Sequence, residues 1–152
     1  MKMSRKWAMP NKNTFTIKPI AELLYRYVPE KNSDFIDPFP YPYTEDALQF
    51  LNRFERESVT GVLFDPPYSP RQLKECYDSM GMVLHDTKSS VWKAWKDGIA
   101  RVIKPGGYCI SFGWSTNGLG KNGGFKIIEI LLVAHGGNHN DTIVTVERKV
   151  TA

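Results

Sequence analysis

The chain contains four consecutive residues, Asp65, Pro66, Pro67 and Tyr68, that are suited to holding a planar amino group. The two prolines fix the backbone and remove two hydrogen-bond donors. The Asp65 side chain and the carbonyl ahead of the prolines can therefore act as a stiff pair of acceptors. Tyr68 adds an aromatic plane on which a nucleobase can stack, an interaction worth roughly 1–3 kcal/mol. The motif favours chemistry at the nitrogen of a planar, stacked group.

An exocyclic amine of a nucleobase is a poor nucleophile because its lone pair is delocalised into the ring. Two acceptors that bind its hydrogens in tetrahedral geometry localise this lone pair and favour attack on an electrophilic methyl group. Such a reaction needs no strong general base, although unstacking the base costs a few kcal/mol. A proline-stiffened strand exit with an incidental tyrosine is the alternative interpretation.

The elements on either side of the motif would position it. We predict a buried strand from Val59 to Phe64, directly before the motif. A helix start follows, because Ser69, Pro70 and Gln72 supply a hydroxyl cap, a first-turn proline and a glutamine at the third position. This helix is predicted to extend to about Met80.

A second acidic turn follows another predicted strand. The segment 34–37 is stopped by Pro38, so that Asp37, Pro38 and Phe39 lie at a strand end. Ligands of open α/β sheets bind beyond the carboxyl ends of the strands. The sequence therefore places both Asp37 and Asp65 at the ligand-binding edge of a sheet.

The rest of the chain alternates helices with short strands. Helices are predicted for Lys18 to Val28, Thr44 to Phe54 with Thr44 as the cap, and Ser90 to Ile103, ended by a turn at 104–107. Strands are predicted for Tyr108 to Phe112, Phe125 to Ala134 and Thr142 to Val150, the last two forming a hairpin. This pattern predicts a mostly parallel α/β sheet that ends in an antiparallel hairpin with an antiparallel edge strand.

Composition indicates one domain over 1–152, with a basic N-terminal arm at 1–14. Cys76 and Cys109 have no paired spacing and are typical of reduced thiols in the cytoplasm. No apolar run approaches the roughly 20 residues of a membrane helix, and the basic start is not typical of a signal peptide. The net charge of +4 is compatible with a polyanionic partner, although the sequence alone favours a solvated surface as its explanation.

The segment from Phe64 to Ser69 resembles the catalytic motif of amino-group DNA methyltransferases, and the aspartate is typical of adenine-specific members. Three further segments, 15–19, 35–39 and 104–107, agree with this resemblance. They are similar to the motif that contacts the methionine end of the cofactor, to the start of the cofactor loop, and to the turn before the fifth strand. The resemblance extends over the whole chain, as in a small, phage-type member of the family.

The resemblance implies a Rossmann-like class I methyltransferase sheet, S-adenosylmethionine as the cofactor, and a flipped adenine of double-stranded DNA as the substrate. It implies catalytic roles for Asp65, Pro66, Pro67 and Tyr68. The residues expected to contact the cofactor are Phe15, Ile17, Lys18, Asp37, Pro38, Phe39, Phe64 and Asp65. Those expected to contact the substrate are Tyr68, Ser69, Arg71 and Trp114. We expect no metal and no membrane contact and a location in the cytoplasm. The sequence is compatible with a homo-oligomer and leaves the oligomeric state open.

The segment after Asp37 departs from the family pattern. In the family, the cofactor loop is followed by a helix and by a second strand whose terminal acidic residue binds the ribose hydroxyls. Only about twenty residues separate Asp37 from Val59 here, too few for a βαβαβ path. We therefore expect the second strand to be missing. Glu45 or Asp46 could replace its acid, although both are also explained as first-turn charges of a helix.

Other polar clusters have ordinary structural explanations. The glycines between 118 and 124 match no phosphate-binding fingerprint. His135, His139 and Asp141 could hold a metal, but turn chemistry in a glycine-rich hairpin explains them. Three hypotheses remain open: an active DNA adenine methyltransferase, a shortened and inactive binding module derived from one, and a methyltransferase acting on RNA or on a protein amide.

Overall fold

Six strands form one mixed sheet in the computed structural model, which describes residues 1–29, 34–40, 45–67, 70–81, 89–137 and 139–150. The strands are β1 (Lys2–Trp7), β2 (Phe35–Ile36), β3 (Val59–Phe64), β4 (Ile103–Gly113), β5 (Phe125–Ala134) and β6 (Thr142–Lys149). The helices are α1 (Lys18–Tyr27), α2 (Ala47–Asn52), α3 (Pro70–Ser79) and α4 (Ser89–Val102). Short 3-10 helices lie at Thr14–Thr16 and Lys121–Gly123.

The strands are arranged in the order β1-β5-β6-β4-β3-β2. β6 is antiparallel to both of its neighbours, and every other pair is parallel. The predicted mostly parallel α/β sheet with a C-terminal antiparallel hairpin is confirmed. The prediction of an antiparallel edge strand is wrong, because β6 lies between β4 and β5. Residues 144–147 of β6 are all buried, as expected for a strand covered on both faces and paired on both sides.

Helices cover the two faces of the sheet unequally. On one face α1 packs its buried Ile20 and Leu23 against Phe112 of β4 and the valines of β6. Pro19 lies in the first turn of α1, where its missing N–H is tolerated. On the opposite face α2, α3 and α4 enclose a larger core around the fully buried Trp95. This second core lies beneath β3, the strand that leads into Asp65.

The segment after β2 takes a short path. α2 carries the chain directly from β2 to β3, and within the described residues β2 pairs with β3 alone. The expected lack of a second-strand region is confirmed for that part of the chain. α2 is shorter than predicted and begins at Ala47, where Asp46 accepts a hydrogen bond from the backbone N–H of Gln49 at 3.0 Å. Thr44, the predicted cap, lies outside the described residues.

β4 begins earlier than predicted and includes the turn expected at 104–107. Val59 pairs with Ile103 whereas Gly61 pairs with Tyr108, so the extra residues of β4 form a bulge. Gly106 within it has φ 82°, a conformation that favours glycine. The bulge keeps β4 paired with β3 on both sides of the glycines.

The first residues also form regular structure, whereas the sequence predicted a basic arm. β1 pairs in parallel with β5 from Lys2 opposite Glu129 to Trp7 opposite Ala134. The backbone N–H of Ala8 continues this pairing with a 3.0 Å bond to the Ala134 carbonyl. Almost all side chains of β1 are exposed, so the strand has no buried apolar face. The sequence therefore lacks the alternation by which a half-buried strand is predicted.

Cys76 and Cys109 are separate buried thiols. No helix in the described part of the chain is long and apolar enough to cross a membrane.

A buried carboxylate ties α1 to β5. Glu129 is 1% exposed and accepts two hydrogen bonds from the Arg26 guanidinium, at 2.8 and 2.6 Å, and one from the Tyr27 hydroxyl at 2.7 Å. The bonds from Arg26, ahead of the one from Tyr27, hold the pKa of Glu129 below its ordinary value despite its burial. Because the pKa is lowered in the folded state, the stabilisation is present at neutral pH and is lost as pH falls through the carboxylate range.

Replacing Arg26 with alanine is expected to lower the free energy of unfolding by about 3 kcal/mol, because Glu129 would stay buried without its cation. Urea unfolding at pH 7 measures this change. The matched control is Arg53→Ala, whose ion pair with Glu45 is more exposed and is expected to contribute less than about 1 kcal/mol. The deficit of Arg26→Ala should shrink at acidic pH, and a constant deficit would contradict the assignment to Glu129.

Candidate functional site

Three strand ends meet at one edge of the sheet. β2, β3 and β4 are parallel neighbours, and Asp37, Asp65 and Trp114 follow their respective carboxyl ends. Pro66 and Pro67 are buried and Asp65 is partly buried. The Asp65 charge is close enough to Asp37 to influence its pKa. Tyr68 and Ser69, the other predicted residues of the motif, lie outside the described residues.

Asp37 shapes the turn after β2. Its Oδ1 accepts a hydrogen bond from the backbone N–H of Phe39 at 2.9 Å, and Pro38 between them is buried. Phe39 is directed into the core, with its ring centroid 4.7 Å from that of Trp95. Burial, with a smaller contribution from Asp65, raises the pKa of Asp37 to about 6. The turn therefore holds a carboxylate in a place that disfavours its charge.

Replacing Asp37 with asparagine is expected to stabilise the fold at pH 7.5 by roughly 2–3 kcal/mol. The folded pKa lies above the unfolded one, so ionisation destabilises the folded state progressively as pH rises from about 4 to 6. Asparagine stays uncharged and retains an oxygen that can accept from Phe39. Thermal and urea unfolding at pH 7.5 and pH 4 measure the difference, which should shrink to about 0.5 kcal/mol at the lower pH. Asp34→Asn, at an exposed position, is the control, and equal stabilities at pH 7.5 would contradict the prediction.

A first cavity, here called the α3 cavity, has a volume of about 340 Å³. One wall is formed by Asp65, Pro66 and Pro67, and another by Phe39. The segment before α1 contributes Lys12 and Thr14 to the remaining wall. α3 contributes the other lining side chains: Gln72, Glu75, Cys76 and Ser79. The cavity thus combines a cation and hydroxyls with two carboxylates, a set that suits a zwitterionic ligand.

A second cavity, here called the α4 cavity, has a volume of about 270 Å³ and is also lined by Pro66. Its walls are aromatic and cationic: α4 contributes Trp92 and Lys96, and the segment after β4 contributes Trp114 and Asn117. Phe64 lies edge-on to Trp92, with ring centroids 5.9 Å apart. Pro66 lines both cavities, so both adjoin the motif.

Several predicted site residues do not line these cavities. Phe15 packs on Phe112 with ring centroids 5.2 Å apart, and Ile17 is buried in the core beneath α1. Lys18 is exposed at the start of α1. Arg71 is exposed and forms a 3.0 Å ion pair with Glu75. From the same N-terminal segment, Lys12 and Thr14 reach the α3 cavity instead.

Sequence reasoning missed several lining residues. The position of Trp92 on the apolar stripe of its helix predicts a core side chain, yet Trp92 is only partly buried and lines the α4 cavity. The available signal was Lys96, which lies four residues after Trp92 and therefore places a cation beside an aromatic ring on one helix face. Lys12 and Thr14 carried no comparable signal, because their position depends on how the chain crosses the sheet edge.

The loop beside the α4 cavity is held by a buried carboxylate. Glu147 of β6 is fully buried and accepts the backbone N–H groups of Leu119 and Gly120, at 2.8 and 2.9 Å. Gly118 has φ 49°, and a Cβ there would lie 2.1 Å from Oε1 of Glu147. Burial raises the pKa of Glu147, and the two backbone hydrogen bonds oppose that effect. Glu147 therefore fixes the glycine-rich loop that bounds the cavity.

The remaining polar candidates have structural partners. Asp46 caps α2 and accepts a hydrogen bond from the Tyr77 hydroxyl, and Glu45 pairs with Arg53. His135 bridges two elements through Nδ1 to the Ala8 carbonyl at 2.9 Å and Nε2 to the Thr142 hydroxyl at 2.8 Å. Within the described ranges, no group of three or more His, Cys, Asp or Glu residues is placed to hold a metal ion.

Comparisons with known proteins give similarity in fold alone. No protein-family model matches the chain, and no curated protein matches its sequence. The solved protein PH0851 is 14% identical with a TM-score of 0.50, covering 97% of this chain and 42% of its own. A provisionally assigned DNA modification methylase of Thermus thermophilus, solved in complex with S-adenosyl-L-methionine, is 14% identical with a TM-score of 0.48. That match covers 72% of this chain, which spans about half (53%) of the methylase. The N-methyltransferase NodS of Bradyrhizobium japonicum is 9% identical with a TM-score of 0.46, covering 99% of this chain and 86% of its own.

Proposed function

We propose that this chain transfers the methyl group of S-adenosylmethionine to the exocyclic amine of adenine in double-stranded DNA. The observation that carries the proposal is the position of Asp65, Pro66 and Pro67 at the carboxyl end of β3, with Pro66 lining both cavities. A donor in one cavity and an acceptor in the other would meet at this motif. In-line transfer requires the donor and the acceptor to approach one point, with the attacking and leaving atoms on opposite sides of the transferred group.

The α3 cavity suits the cofactor, which supplies an electrophilic methyl group when bound. Its volume of about 340 Å³ lies in the range of roughly 300–1,000 Å³ typical of small-molecule sites. Lys12 and Thr14 can bind a carboxylate, while Asp65 and Glu75 complement an ammonium or sulfonium charge. Asp37 acts on the site through the turn that places Phe39 in the cavity wall.

The α4 cavity suits the flipped base. Trp92 and Trp114 offer aromatic planes, and stacking of a base on such a plane contributes roughly 1–3 kcal/mol. Asn117 can donate to and accept from the edge of adenine in the way that amides read this base. Tyr68, by the resemblance of its motif, adds a further stacking surface. The acceptor pair of Asp65 and the carbonyl at the prolines then orients the amine without removing its proton in advance.

Incubation with S-adenosylmethionine labelled in its methyl group tests the proposal directly. Duplex DNA, RNA and unfolded protein are compared as acceptors, and nucleosides from digested DNA are separated to identify the modified base. Label in N6-methyladenine supports the proposal. Label confined to RNA or to protein assigns the site to a different acceptor, and absence of label from all three contradicts methyl transfer.

A second candidate function is binding without turnover, in a shortened module derived from a methyltransferase. The position of β2 favours it, because this strand is at the edge of the sheet among the described residues. The acid expected to bind the ribose hydroxyls therefore has no strand to hold it, and Glu45 and Asp46 are engaged elsewhere. Calorimetric titration with S-adenosylmethionine separates the two functions, since micromolar affinity counts against the inactive module.

A further inference from the structure

The positive charge of this protein is concentrated at one end of the chain. Residues 1–18 contain five basic side chains and no acidic one, whereas residues 19–152 contain 15 basic and 16 acidic side chains. The whole net charge of +4 therefore originates in the first 18 residues. A polyanion would be attracted to this segment in preference to the remaining surface.

β1 presents three of these charges on an open sheet edge. It is the outermost strand beside β5, and Lys2, Arg5 and Lys6 are exposed. Within the described residues none of the three forms a salt bridge, in contrast to helical cations such as Lys74 and Lys93, which pair with aspartates four residues later. Lys2 lies opposite Glu129 and adds to the lowering of its pKa by Arg26, whereas Arg5 and Lys6 have no such partner among the described residues.

The basic segment leads from β1 to the catalytic motif. β1 is parallel to β5, so its carboxyl end lies at the same sheet edge as the ends of β3 and β4. The chain is fixed there by the bond between Ala8 and His135 and then crosses to the α3 cavity, where Lys12 lies in the wall with Asp65. A ligand lying along β1 would therefore approach the edge where the chemistry is proposed.

Exposed apolar side chains accompany the charges. Met1, Met3 and Met9 are exposed, and Trp7 is 65% exposed. Large exposed apolar groups between cations are typical of a binding surface. A second copy of the chain is a poor occupant, because pairing two β1 strands would bring like charges together.

We propose that β1 and the segment after it form the surface that holds the phosphate backbone of duplex DNA. The inference rests on the proposed function and assigns the contact that its substrate would need. Four residues of a strand span about 13 Å, over which one DNA strand presents about four phosphates. Side chains alternate along a strand, so Lys2 and Lys6 lie on one face of this edge, and Arg5 lies on the other face with Trp7. A duplex that lies along the edge is within reach of the cations on both faces. Contacts to phosphate set position rather than sequence.

The test compares two triple variants that remove the same number of charges. The first carries Lys2→Gln, Arg5→Gln and Lys6→Gln. The control carries Arg53→Gln, Arg56→Gln and Lys104→Gln. These exposed residues lie near the amino ends of β3 and β4, at the sheet edge opposite to the proposed site. Fluorescence anisotropy with a labelled duplex gives the dissociation constant at several salt concentrations, and urea unfolding verifies that each variant is folded.

In the first variant, the slope of log binding constant against log salt concentration should become shallower by roughly 2–3. Its affinity for the duplex at low salt should fall at least about 10-fold. The control should keep a slope within about 1 of the unaltered protein. Equal slopes for the two variants would overturn the inference, even if the protein methylates DNA. Binding of the first variant to anionic lipid vesicles is measured in parallel. If this variant loses vesicle binding but keeps DNA binding, the inference is overturned and β1 is assigned to a lipid surface.

If β1 governs DNA binding but no methyl transfer occurs, the inference stands and the proposed function fails. Absence of both DNA binding and methyl transfer overturns both.

Discussion

Replacing Asp65 with alanine is expected to lower kcat for methyl transfer to adenine by about 10²–10³-fold or more. The change removes one acceptor of the pair that is proposed to orient the amine, and loss of one such preorganised group costs about 2.7–4 kcal/mol in the transition state. The effect should appear in kcat, because the acceptor acts most strongly when the amine takes up tetrahedral geometry. Single-turnover measurement of methyl transfer into duplex DNA gives this rate constant.

Asp65→Asn provides the graded comparison. Asparagine retains one acceptor oxygen and removes the charge, so its rate should lie between those of the alanine variant and the unaltered protein. Both variants should also lower the pKa of Asp37 toward its ordinary value, because the Asp65 charge contributes to raising it. Titration of Asp37 by NMR confirms that the substitution acts at the motif. A rate within about 10-fold of the unaltered protein for Asp65→Ala would contradict the proposed mechanism.

Elements with strong local signals were predictable from the sequence. β3 has the predicted bounds, Val59–Phe64, because an apolar run lies between a charged segment and a pair of prolines. α1 begins at Lys18 as predicted, since Pro19 and the spacing of its apolar residues define its start. The C-terminal hairpin is also confirmed, because alternation in β5 and β6 flanks a glycine-rich turn. In each case the information lies within one continuous segment of the chain, the longest being the hairpin from Phe125 to Lys149.

Features that depend on distant partners were not predictable. β1 becomes a strand by pairing with β5, more than a hundred residues away, and lacks an apolar face of its own. β6 enters the sheet between β4 and β5, although its sequence is equally compatible with an edge position. Sequence motifs placed Asp65 and Pro66 at a strand end, but did not reveal that Pro66 lines two cavities or that Lys12 reaches one of them.

The two cavities differ in how their walls are held, which bears on the proposed chemistry. The α3 cavity is bounded by the proline-stiffened motif and by a helix. The α4 cavity is bounded on one side by a loop that contains several glycines and lacks regular structure over most of its length. A loop of this composition has high conformational entropy unless it is held by specific bonds. Glu147 supplies such bonds, so this buried residue is expected to position the proposed base site without touching the base.

Replacing Glu147 with glutamine should release that loop. Each carboxylate oxygen of Glu147 accepts one backbone N–H group. Glutamine would direct its NH₂ group toward one of these two N–H groups, which would then have no acceptor. The expected loss in the free energy of unfolding is about 1–3 kcal/mol. If the α4 cavity holds the base, KM for DNA should rise several-fold while the dissociation constant for S-adenosylmethionine stays within about 2-fold.

Amide hydrogen exchange gives a readout that does not depend on activity. The amides of Leu119 and Gly120 should be protected in the unaltered protein and should exchange at least about 10-fold faster in Glu147→Gln. Gly118→Ala should produce the same acceleration from the other side of the contact, because its Cβ would displace the carboxylate and because φ 49° is unfavourable for alanine. Glu55→Gln, at an exposed position, is the matched control. Unchanged exchange at both amides would show that Glu147 does not hold the loop, and an unchanged KM despite faster exchange would separate the loop from the base site.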